Sequence, residues 1–162
     1  MNQCLLHTLE QVDNAIYQNE HLQRSYYGGY VSSELKDVYI KRGYFIIILV
    51  IAQNKSSVGH FIVVSKTQSG KLILFDSLAI NPIKYGLNEF IHNNVENVYC
   101  YSNIKAQSEK SNCCAYFSLF YACKTFLNGM DFKSFLRIFE NNNCEQNERL
   151  VYNYVKKMFC FE

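Results

Sequence analysis

The chain has 162 residues, 49% hydrophobic, 15% aromatic and 19% charged, with a net charge of +2. That composition excludes a disordered chain and fits one domain, residues 1–162, large enough for a real core. No Lys/Arg block argues for nucleic acid, no apolar run nears the ~20 residues of a membrane span, and Met1–Glu20 shows no secretory pattern.

Leu5, Leu6, Leu9, Val12 and Ile16 recur at helical spacing, so residues 3–17 are expected to form an amphipathic first helix. Tyr26-Tyr27-Gly28-Gly29-Tyr30 reads as an aromatic loop, and Ser32 or Ser33 can cap a short helix through Val38. Tyr44 to Gln53 is rich in β-branched residues and reads as a strand buried on both faces, followed by a polar loop from Asn54 to Gly59. His60–Ser65 and Lys71–Asp76 are two strands joined by a turn ending in Gly70. Asn81-Pro82 breaks the chain before a helix over about 83–92, and Val95–Tyr101 is a further strand. A polar loop, 103–112, leads to an apolar helix from about Cys113 to Leu127. A short helix over 132–139, a break at Asn141-Asn142-Asn143 and an amphipathic helix over 148–159 complete the chain. The order predicts an α+β fold, a small mostly antiparallel sheet packed on helices, the central apolar helix carrying the reactive group.

Two features carry chemistry. A hairpin turning about Gln68 places His60 opposite Asp76 on the apolar face of the pair, where directly opposed Cβ atoms are about 5 Å apart. A buried Asp is costly unless paired, and His60 is the nearest partner. The second feature is the uncharged run from Ser111 to Cys123, bracketed by Lys110 and Lys124. It describes a helix packed all round, with Ser111 or Asn112 available as its cap. A cysteine in the first turn of such a helix meets unpaired N–H groups and the positive end of the dipole, which favour the thiolate.

Cys113 and Cys114 both qualify. Cys114 is preferred because small Ala115 follows it and leaves room for a substrate backbone. Gln107, in the loop before the helix, can supply an amide N–H to a developing oxyanion. Together these residues give a base, its orienter, a nucleophile and an oxyanion donor. Phe61 and Tyr30 are candidates for the substrate groove. The seven cysteines are odd in number and lack C-x-x-C spacing. They read as reduced thiols of an intracellular protein, and no metal-ligand spacing is found.

The segments Val58-Gly59-His60-Phe61, Leu74-Phe75-Asp76-Ser77 and Gln107 through Cys113-Cys114-Ala115 together resemble the adenovirus endopeptidase (adenain) family, within the wider clan of ubiquitin-like-protein proteases. The resemblance covers about residues 25–130, and its Gln-to-Cys spacing of seven selects Cys114. Two positions depart from the family pattern: Phe61 stands where Trp is usual, and Ala115 where Gly is usual. The resemblance implies a viral cysteine endopeptidase that cuts precursor proteins after small residues such as Gly. It places such a protein in the host nucleus or cytoplasm and in the virion, as a monomer needing no cofactor beyond an activating peptide or DNA. Removal of ubiquitin-like modifiers is the alternative substrate class. A binding module of the same fold without catalysis is the alternative of another kind.

Overall fold

The computed structural model describes residues 4–51, 59–159 and 161. Most of the expected polar loop, the end of the second strand, Val58 and Cys160 lie outside the described residues. Among the described residues, five strands form one sheet in sequence order: β1 Tyr26–Val31, β2 Phe45–Val50, β3 His60–Lys66, β4 Leu72–Phe75 and β5 Tyr99–Tyr101. Six α-helices accompany them: α1 Leu9–Tyr17, α2 Glu20–Gln23, α3 Asn88–Asn94, α4 Cys114–Ala122, α5 Phe132–Arg137 and α6 Cys144–Met158.

Alternation along the strands divides the core in two. Phe45, Ile47, Phe61, Val63, Ile73 and Phe75 face a layer built on α4, with α1, α5 and α6 around it. Their neighbours Ile46, Ile48, Val50, Ile62, Val64, Leu72 and Leu74 face the opposite way, onto Leu35, Val38, Ile40 and α3. Every residue of α4 from Cys114 to Ala122 is buried, as the uncharged sequence predicts. Thr8 with Gln11 and Asn143 with Gln146 form reciprocal capping boxes that fix the starts of α1 and α6.

The α+β architecture and the central buried helix match the sequence reading; several details do not. The sheet is mixed rather than mostly antiparallel, because β1 pairs β2 and β4 pairs β5 in parallel. The aromatic loop at Tyr26–Tyr30 is the edge strand β1. Gly28, at φ 151°, interrupts its register, and the glycine pair masks the strand signal. α1 starts at Leu9 because the Thr8 box stops it there, leaving Leu5 exposed. α6 begins four residues earlier than expected, since Asn143 caps it. The helix beyond Pro82 is divided by left-handed Gly86 into a 3-10 turn, Pro82–Tyr85, and α3. α4 continues past Ala122 as one π-type turn, Cys123–Leu127.

The hairpin register also differs. Thr67 N donates to the Lys71 carbonyl, and Gly70 adopts φ 89°, so the loop is the three residues 68–70 with a left-handed glycine last. The ladder pairs Val64 with Leu74 and Val63 with Phe75. Extended, that register sets Ile62, not His60, opposite Asp76. The partner moves by two residues, an even step, so the side chains keep their face and His60 becomes a diagonal neighbour of Asp76.

The cysteines depart from expectation at one pair. Cys4 and Cys113 form a disulfide with Cα atoms 5.5 Å apart, closing a sequence separation of 109, where reduced thiols were expected throughout. Cys100, Cys114, Cys123 and Cys144 are free.

Candidate active site

The site assembles where the sheet ends. His60 is the first residue of β3, paired with Val50, and Asp76 follows the last residue of β4. His60 Nε2 donates to Asp76 Oδ1 at 2.6 Å. The diagonal placement is enough, since an imidazole reaches across a diagonal pair. Nε2 being taken, Nδ1 is the nitrogen available to a second partner, and Cys114 lies near enough to raise the basicity of the ring.

Asp76 is 4% exposed and fully engaged. Its Oδ1 also accepts from Leu78 N at 2.8 Å, and Oδ2 accepts from Tyr85 Oη at 2.7 Å and Ile80 N at 3.3 Å. Its own N–H donates to Ser102 Oγ at 2.8 Å, and that hydroxyl donates back to the Asp76 carbonyl at 2.7 Å. The turn that brings the amides of Leu78 and Ile80 onto the carboxylate holds Ala79 at φ 55°, a left-handed conformation that the surrounding bonds stabilise.

The electrostatics follow from these contacts. Burial by itself lowers the basicity of the His60 ring. Hydrogen bonds to Asp76 and Cys114, and the charges of both, outweigh burial and raise its pKa to about 9. Burial pushes the Asp76 carboxyl up, but His60, Tyr85 and the Leu78 amide together hold it below the usual range. Tyr85 is held protonated by burial and by the neighbouring carboxylate. It was missed in the sequence, where a tyrosine three residues beyond Asn81-Pro82 gives no sign of reaching Asp76.

Cys114 opens α4, with Cys113 at the N-cap. Neither Ser111 nor Asn112 caps the helix by side chain; the Ser111 hydroxyl instead accepts from Cys113 N at 3.2 Å. Cys113 is tied to Cys4, so Cys114 is the free thiol at this helix tip. Of the other free thiols, Cys123 is pushed up to about 12 by burial, and Cys100 is raised for the same reason.

Gln107 is 1% exposed, and its amide is oriented. Nε2 donates to the Ser111 carbonyl at 3.0 Å, and Oε1 accepts from Ser77 Oγ at 2.5 Å. One N–H of the amide nitrogen is left over. The two groove candidates fare differently. Phe61 is 2% exposed and packs in the aromatic core beside α4, so its ring braces the strand from within and is not a groove wall. Tyr30 is half-buried on β1, packed against the aliphatic core. A cavity of about 740 Å³ beside the helix tip is lined by Cys113, Ser108, Lys110, Glu148 and Arg149 among others, and by none of His60, Asp76 and Cys114.

Among the described residues, no group of three or more His, Cys, Asp or Glu side chains is placed to hold a metal ion. No helix there is long and apolar enough to cross a membrane.

The mixed sheet packed on a buried central helix is a fold that solved structures share. The chain is similar to the ASFV pS273R protease, with a TM-score of 0.63 and 13% identity over 97% of this chain and 68% of that one. It is also similar to ChlaDub1 from Chlamydia trachomatis, with a TM-score of 0.50 and 12% identity over 71% of this chain and 59% of that one. No family model and no curated protein matches the sequence.

Proposed function

We propose that the protein is a cysteine endopeptidase of viral origin that cleaves precursor polypeptides after small residues such as Gly. The observation carrying this reading is the 2.6 Å contact of the His60 imidazole with Asp76 Oδ1, with Cys114 at the tip of α4 near enough to raise the basicity of the same ring. In the reaction, the Cys114 thiolate attacks the scissile carbonyl carbon and its π electrons move onto oxygen. The Cys114 backbone N–H and the spare N–H of Gln107 stabilise that oxyanion. The intermediate collapses with cleavage of the C–N bond, and protonated His60 gives its proton to the leaving amine. A thioester remains. His60 then removes a proton from water, which attacks the thioester and releases the acid and the thiolate. Asp76 keeps the imidazole in place and stabilises its protonated form throughout. Every group is supplied by the chain, so the mechanism needs no metal or organic cofactor.

A ubiquitin-like conjugate as substrate is the second reading, favoured by the likeness to ChlaDub1. Both use the same chemistry, and a panel of precursor peptides against ubiquitin-like vinyl electrophiles separates them. Adding DNA or short peptides to that assay tests the activators that the family resemblance implies.

The decisive experiment is mass-spectrometric mapping of alkylated cysteines in the folded protein at neutral pH. Cys114 is expected to react first, with Cys123 inert. Cys114→Ala and His60→Ala are each expected to abolish turnover while the far-UV circular dichroism stays unchanged. Uniformly unreactive thiols would favour a binding module of the same fold.

A further inference from the structure

We infer that Ser77 is a positioning residue that locks the Gln107 amide with its nitrogen toward the reacting carbonyl, making the Asp76-Ser77 dipeptide the joint between the two halves of the site. This deepens the proposed function and rests on it. Ser77 makes three contacts to the same short segment. Its carbonyl accepts from Ala106 N at 2.8 Å and Gln107 N at 3.0 Å, and its hydroxyl donates to Gln107 Oε1 at 2.5 Å. Both residues are 1% exposed, so water does not compete for these bonds.

The orientation of the amide follows from donor and acceptor identity. The Ser111 carbonyl can only accept, so the group facing it at 3.0 Å must be the NH₂. The oxygen of the amide is then the atom facing Ser77, and the Ser77 hydroxyl must donate to it. A primary amide nitrogen carries two hydrogens. Ser111 takes one, and the other is free for an oxyanion. Without the Ser77 hydroxyl, Oε1 becomes a buried acceptor with no partner, and the amide is fixed at one end only. Rotation about the terminal torsion, which is broad for glutamine, then turns the second N–H away.

The chain geometry explains why Ser77 does this. Asp76 has the parity of Ile62 and Leu74 and reaches His60, whereas Ser77 contacts the loop that leads into α4. One peptide unit therefore fixes the orienter of the base and the orienter of the oxyanion donor. Displacing one displaces the other.

The test measures kcat and KM with a peptidyl-Gly-Gly-aminocoumarin substrate for the wild type, Ser77→Ala, Gln107→Ala and the double variant. Ser77→Ala is expected to lower kcat about tenfold, because a small misplacement costs less than deleting a donor outright, and to leave KM within about twofold. In the Gln107→Ala background the same change is expected to have no further effect, since the amide it positions is gone. A wild-type rate in Ser77→Ala, or a full multiplicative loss in the double variant, would overturn the assignment. A slow Gln107→Ala beside a normal Ser77→Ala leaves the protease standing and removes only this role. An inert wild type with an unreactive Cys114 removes the protease itself. The lock is read independently from the side-chain amide signals of Gln107 in ¹⁵N-glutamine-labelled wild type. Two resolved, slowly exchanging hydrogens are expected, and rapid amide rotation with fast exchange would overturn it even if Ser77→Ala failed to fold.

Discussion

The two faces of the sheet are built from different materials. The α4 face is aromatic: Phe45, Phe61 and Phe75 from the strands meet Tyr116, Phe117, Phe120, Tyr121, Phe135 and Phe139. The opposite face is aliphatic, and its buried cluster contains a single aromatic residue, Phe90. Rings packed edge to face hold a helix in one orientation, while an aliphatic layer is more forgiving of small shifts. The site draws on both. His60, Asp76 and Tyr85 belong to the aliphatic side, whereas Cys114 and the loop carrying Gln107 belong to the aromatic side. They meet because each lies at or just past an end of its element: His60 opens β3, Asp76 follows β4 and Cys114 opens α4. The aromatic layer thus sets where the sulfur stands, and the loop after β4 sets where the base stands.

The comparison breaks most severely at Asp76→Asn. The amide keeps the size of the side chain but loses the charge that holds the protonated ring. A loss of ~10⁴ in kcat is expected, the scale seen when the orienting carboxylate of a triad is made neutral. Single-turnover kinetics, with circular dichroism to confirm folding, check it. A loss below tenfold would show that Cys114 and His60 suffice as a pair.

Phe135→Ala tests the aromatic side. The ring is 0% exposed and lies edge to face with Phe75 at 4.9 Å and Tyr121 at 5.0 Å. Its removal should cost ~3–5 kcal/mol, against ~0.5–1.5 for Ile46→Val on the aliphatic face. Urea unfolding of the two variants measures the contrast. Equal costs would mean that the layers do not differ in how tightly they specify position.

Gln107→Ala comes next, with ~10²–10³ expected in kcat and little change in KM if its spare N–H reaches the oxyanion. An unchanged rate would leave the Cys114 backbone N–H as the donor.

How much of this was legible in the sequence depended on whether a signal was local. The uncharged stretch through Tyr116 and Phe120 announced a buried helix, because burial on all sides demands it. His60 and Asp76 were legible as partners despite a misplaced turn. Pairing parity, not the exact partner, decides the face, and Gly70 moved the turn by an even step in register. β1 was illegible because Gly28-Gly29 carry no strand signal, and its pairing with β2 is made from a distance. Phe61 was a groove candidate, yet alternation turns it inward. Tyr85, Ser77 and the Cys4–Cys113 bond were invisible for one reason: each depends on chain segments that only the tertiary fold brings together.

The smallest effect at neutral pH is also the most specific to the pairing of the two sides. The folded pKa of His60, about 9, exceeds its ordinary value of 6.5. Between those values the folded chain holds a proton that the unfolded chain has released. The ring therefore contributes its full stabilisation below about pH 6.5 and loses it as pH rises through about 9. Asp76 runs the other way: its lowered carboxyl stabilises the fold above the ordinary carboxylate range, and that contribution is lost in acid. For activity, the proton on His60 is the one given to the leaving amine, so kcat/KM should be flat from pH 7 to 8. It should then fall above about 9, roughly tenfold per unit. In Asp76→Asn the same alkaline fall should begin at lower pH, nearer the ordinary imidazole value, because the strongest support for the proton has been removed. A pH–rate profile of the two proteins with one fluorogenic peptide decides it. If both limbs coincide, the proton is held by Cys114 alone, and the aliphatic side of the site contributes position without charge.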